Sequence, residues 1–152
     1  MFLVRVNNAI SDIQNYESQK NTSLGHRISF AINSWEVITN HPILGVGTGD
    51  FPLEYKKVNI KNTPELPNGT NPHNMYILIL MQLGVVGLIS FLLIFYYQIK
   101  LAITSNNIFI RDVGIALPLL FLLIMLSDSY LLGHYTSLMY IFFSAFLYKD
   151  FD

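Results

Sequence analysis

The chain has 152 residues, of which 52% are hydrophobic and 12% charged, with no cysteine and a formal net charge of −1. The missing cysteines exclude disulfides, thiolate nucleophiles and Cys-based zinc sites. No basic stripe exists to neutralise phosphates along a duplex, which excludes nucleic acid as a partner, and the apolar share points to a membrane protein.

Charge is unevenly spread. Residues 1–74 hold six Lys/Arg and six Asp/Glu, against three and four in residues 75–152. Residues 1–72 therefore read as a polar region of amphipathic helices and loops, and residues 73–152 as membrane helices. Phe2, Val6, Ile10 and Ile13 share helical spacing and predict a first amphipathic helix. Ser23 is a good N-cap for a second, from about Leu24 to Thr39, with "NHP" as its stop signal. Its apolar face runs through Leu24, Ile28, Ala31, Trp35 and Ile38, with Arg27 at the edge and His26 on the polar side. "GVGTG" (45–49) reads as a flexible turn and "NTPELPNGTNP" (62–72) as an irregular loop.

From Met75 to Ile99 no charge occurs over 25 residues. A helix of that length reaches roughly 37 Å, enough to cross a hydrocarbon core of about 30 Å. Two shorter apolar runs, 113–127 and 135–148, flank "DSYLLGH" and read as two further tilted helices that borrow flanking residues, the alternative being a shallow hairpin; Pro118 and the central Asp and Gly favour two helices. The expected architecture is all-α and polytopic, with spans near 73–99, 109–130 and 134–150. Lysines and arginines near both ends of the first span leave its orientation open.

Two positions stand out chemically. Asn71 as N-cap and Pro72 at the first helical position would begin the first span, placing His73 and Asn74 in its first turn. On that helix His73 shares a face with Ile77, Leu80, Gly84 and Gly87, and such glycines admit another backbone closely. His73 would then point into a protein interior at the membrane surface as a candidate base. The bland alternative is a polar helix end in the headgroup layer. Arg27 stands in the first turn of its helix, where a cation is unfavourable unless an anion joins it. With free backbone amides it would suit a phosphate or pyrophosphate, and the alternative is a snorkelling arginine. Asp128 interrupts a greasy region and is a weaker candidate. The four histidines show no metal-ligand spacing, so no metal is expected, and "GVGTG" lacks the features of a nucleotide loop.

Arg27, Trp35, "HPILGVGTGDF" (41–51) and "HNMYILILMQLGVVGL" (73–88) occur in one order. That series resembles the O-antigen ligase/polymerase family of bacterial membrane glycosyltransferases, in Pro42, Gly45, Gly47, His73, Asn74, Tyr76, Gly84 and Gly87 as well as Arg27 and Trp35. The resemblance implies a GT-C-like enzyme of the bacterial inner membrane with residues 1–72 on the periplasmic side. It implies transfer of a glycan from undecaprenyl pyrophosphate to a hydroxyl on lipid A core, another glycan or a protein, without cofactor or metal. Arg27 would hold the pyrophosphate, His73 would be the base or a second phosphate contact, and Asn74 and Tyr76 would help bind substrate. Full members carry many more spans than the three read here, so the chain is expected to be a C-terminal portion that meets membrane lipids and the missing N-terminal helices. The alternative is a non-catalytic membrane subunit or an inactive truncated fragment.

Overall fold

The computed structural model describes residues 2–18 and 20–149, and every regular element among them is helical. In chain order these are α1 (Phe2–Gln14), α2 (Ser23–Asn40), α3 (Phe51–Asn62), α4 (Met75–Thr104), α5 (Ile108–Ile124), a 3-10 turn (Tyr130–Leu132) and α6 (His134–Leu147). Helix α2 packs on α1, α3 and α4, while α5 packs on α4 and α6. Among the described residues, α4 alone is long and apolar enough to cross a membrane. The other two expected spans form as separate helices but are short. At 1.5 Å per residue, the 17 residues of α5 reach about 26 Å and the 14 of α6 about 21 Å, below the roughly 30 Å of a hydrocarbon core.

Helix α2 turns the opposite way from the one its pattern predicts. Its buried residues are Gly25, Ser29, Phe30, Asn33, Ser34, Val37 and Ile38, whereas Trp35 is 61% and Ile32 52% exposed. The polar side faces inward because it meets a polar surface on α3, a helix for which the sequence carries no prediction. Asn33 Nδ2 donates to Thr63 Oγ1 (2.8 Å), with Tyr55 and Asn59 at 3.4 Å. Asn59 Nδ2 in turn donates to the Leu66 carbonyl and to Asn68. Buried amides and hydroxyls are tolerated when they satisfy one another, and this network does so. Burial pushes the Tyr55 phenol above its ordinary pKa, so it stays neutral in the network. Thr22, not Ser23, is the N-cap of α2, its hydroxyl accepting from Gly25 N.

The long helix α4 is broken at Gly84, whose φ of 64° and ψ of −163° are non-helical. A break frees carbonyls behind it and amides ahead of it. The segment 42–47 supplies all four partners. Val46 N and Gly47 N donate to the Met81 and Gln82 carbonyls at 2.9 Å, and Val85 N and Val86 N donate to Pro42 and Ile43 at 2.9 and 3.3 Å. The "GVGTG" stretch is thus a strap pinned across the break rather than a flexible turn. A Cβ on Gly45 would lie 2.4–2.5 Å from the backbone of Gln82 and Leu83, and one on Gly84 2.2–2.6 Å from that of Ile43 and Leu44. The expectation that Gly84 admits another backbone holds, and the visitor is this strap.

Candidate functional site

The segment leading into α4 is organised differently from its predicted form. Asn74, not Asn71, is the N-cap, and its Oδ1 accepts from Tyr76 N and Ile77 N. Asn71 instead closes a tight side-chain turn, its Oδ1 accepting from His73 N (2.9 Å) and from Ser129 Oγ (2.8 Å). Inside that turn His73 adopts φ 53°, the one positive φ at a non-glycine among the described residues. A left-handed backbone at such a residue costs on the order of 1–3 kcal/mol and persists where its surroundings enforce it.

Those surroundings are the end of α5. Met75 N donates to Met125 O, Asn74 Nδ2 to Leu126 O and Tyr76 Oη to Leu122 O, at 3.0, 3.0 and 2.6 Å. The final carbonyls of a helix have no partner within it, so "HNMY" acts as the cap of α5. Asn74 and Tyr76 are occupied in this clamp. Asp128 follows it, and its Oδ1 accepts from Ser129 N (2.7 Å) and lies 3.2 Å from His73 Nδ1. The two side chains are 39% and 45% exposed, so His73 faces an open cavity rather than the interior expected from its helical position. An ionised carboxylate only accepts, so in this contact Nδ1 is the donor and Nε2 is the ring nitrogen turned away from Asp128.

Arg27 and His73 meet across that opening. With Ser23, His26 and Phe30 they line a cavity of about 210 Å³. Phe30 forms its buried side, with its ring edge-on to the imidazole at 6.1 Å between centroids. His26 is held from behind by Asn21 (2.9 Å). No carboxylate lines this cavity, and Arg27 makes no ion pair with any described residue. On its other side Arg27 borders a groove of about 470 Å³ with Arg5 and Asp12 of α1. Beyond the imidazole, Asn71, Asp128, Tyr130, His134 and Tyr135 line a third hollow of about 430 Å³. Asn74 and Tyr76 line none of these. Among the described residues no three His, Asp or Glu gather to hold a metal ion.

Several parts of this arrangement carry little sequence signal. Asp128 was visible only as a carboxylate in a greasy region, with nothing to tie it to a histidine 55 residues earlier. The contribution of Arg5, one cation on an exposed helix, had no signal at all. Comparison with known proteins adds one match and one blank. The family model for O-antigen ligase matches residues 1–92, which takes in Arg27, the strap, His73 and the break at Gly84 and leaves Asp128 outside. No curated protein matches the chain.

Proposed function

The chain belongs to the O-antigen ligase family, whose members are embedded in membranes, and we propose that its three hollows form part of a site for glycan transfer from undecaprenyl pyrophosphate. Arg27 takes the pyrophosphate, with Arg5 as a second cation in the adjoining groove. His73 takes the proton of the acceptor hydroxyl at Nε2, and Asp128 holds the ring at Nδ1. The acceptor oxygen bonds to the anomeric carbon as the bond from that carbon to the phosphate oxygen breaks, its electron pair leaving on the pyrophosphate. A planar guanidinium is suited to that anion, since it offers paired N–H donors and keeps its charge at every working pH. The third hollow, with its hydroxyls and Tyr135 91% exposed, is suited to the polyol surface of an acceptor. That acceptor is lipid A core, another glycan or a protein. The reading places residues 1–72 on the periplasmic side of the bacterial inner membrane, where lipid-linked glycan is presented.

The observation that carries this reading is the convergence of Arg27 and His73, 46 residues apart, on one cavity without a competing carboxylate. The test is transfer from purified undecaprenyl-pyrophosphate glycan in membranes of cells carrying His73→Ala or Arg27→Ala in place of the native chain. Losing a general base lowers a rate by about 10²–10⁴-fold, and a loss of that order is expected for His73→Ala at unchanged chain abundance. Transfer near the native rate by either variant refutes the role given to that residue.

A further inference from the structure

The strap over the break in α4 has a second property, which concerns its outward side. Ile43 is 64% and Leu44 71% exposed, beside four backbone hydrogen bonds that fix their height along an apolar helix. The Ile43 carbonyl accepts from Val86 N, so these two side chains stand level with Val86. Val85, Val86 and Ile89 are themselves 45–54% exposed and begin the apolar outer face of α4 that continues to Ile103. The strap therefore extends a surface that already faces lipid in a membrane-embedded family.

Its depth can be bracketed from the far end of the helix. A hydrocarbon core of about 30 Å takes about 20 helical residues. Counting back from the charge at Lys100 puts the near edge of the core at Leu80; counting back from the end of α4 at Thr104, with Lys100 snorkelling outward, puts it at Val85. Val86 then lies roughly 2–9 Å inside the edge, a depth at which amphipathic anchors settle. Two further features fit that depth. No formal charge occurs between Glu36 and Asp50, while Glu54, Lys56, Lys57 and Lys61 follow on α3. Irregular backbone is tolerated deep in hydrocarbon only where its polar groups are paired; the strap pairs the amides of residues 45–47 and the carbonyls of Pro42 and Ile43 but not the amides of Ile43 and Leu44, which suits the acyl boundary and not a greater depth.

We propose that Pro42–Val46 is a membrane wedge, with Ile43 and Leu44 seated at the acyl boundary of the leaflet on which residues 1–72 lie. Its ligand is the lipid bilayer itself. The wedge does not depend on the roles assigned to Arg27 and His73, and loss of either role leaves it standing.

The absence of native cysteine allows a direct test. Ile43→Cys, Leu44→Cys and, as a reference in the polar loop, Asn68→Cys would each be labelled with bimane in the full chain reconstituted in lipid nanodiscs. Quenching would be read with lipids doxyl-labelled near the headgroup end of the acyl chain and, separately, with aqueous iodide. The expected result is quenching of positions 43 and 44 by the doxyl lipid at least threefold stronger than at 68, with iodide showing the reverse order. Iodide quenching at 43 and 44 equal to that at 68 would overturn the wedge. Protection of both positions from both quenchers would also overturn it, by showing protein seated on the strap. Using two positions guards against one label disturbing the strap.

Discussion

Gly45 and Gly49 offer a matched pair for testing the strap. Both have positive φ, 68° and 89°, yet a Cβ on Gly49 meets nothing within 4 Å while one on Gly45 meets the Gln82 and Leu83 backbone at 2.4–2.5 Å. Gly49→Ala bears only the cost of a left-handed alanine, about 1–2 kcal/mol. Gly45→Ala bears the same cost and must also move the strap off α4 by about 1 Å, since ordinary contacts begin near 3.4 Å. That shift breaks Val46 N to Met81 O and Gly47 N to Gln82 O. Each broken bond with a carbonyl left unpaired costs about 1–3 kcal/mol, so the two bonds and the left-handed alanine together cost about 3–8 kcal/mol. Unfolding by a denaturing detergent, followed in mild detergent for both variants, measures the difference. A gap of at least about 2 kcal/mol is expected, or recovery of folded Gly49→Ala alone. Equal stability of the two variants would refute the contact on which the strap depends.

The remaining predictions concern the clamp and the buried network. Asp128→Ala removes the acceptor for His73 Nδ1, and a hydrogen bond to a charged group is worth about 1.5–3 kcal/mol; transfer should fall about 10–100-fold, while Asp128→Asn, which keeps an acceptor oxygen, should lose less. Asn74→Ala uncaps α4 and frees the Leu126 carbonyl, costing about 1–2 kcal/mol, and hydrogen exchange should speed selectively at the Tyr76 and Ile77 amides. Asn33→Ala strips the shared donor from Thr63, Tyr55 and Asn59. It should cost about 1–3 kcal/mol and open the 63–72 loop to protease. Unchanged digestion would show that the network does not hold α2 to α3.

What was legible in the sequence follows from the range of the forces involved. The long apolar run of α4 declares itself through 25 uncharged residues, and α1 through its helical spacing. Caps were misplaced by one to three residues, at Thr22 for Ser23 and Asn74 for Asn71, because adjacent Asn, Ser and Thr offer equivalent oxygens. Local pattern could not select among them; contact with Ser129 and Leu126, more than 50 residues away, did. The face of α2 was inverted for a related reason. A face reading assumes that apolar residues go inward, and here a polar helix face found a matching polar helix whose own weak periodicity hid it. Arg27 and His73 were named from their chemistry. Their shared cavity and the Asp128 contact are tertiary facts that spacing does not encode.

The clamp and the strap together set the geometry of the cavity shared by Arg27 and His73. A free His73 would relax from φ 53°, and only the turn at Asn71 and the cap on α5 prevent this. The cap is effective only if the first half of α4 is fixed relative to α2, which carries Arg27. That relation is set at the break, where the strap continuing from the end of α2 satisfies both halves of α4. Displacing the strap should therefore separate Arg27 from His73 with neither residue altered. The same four hydrogen bonds that mend the broken helix hold the two ends of the cavity in register, and with the wedge seated in lipid they fix its height.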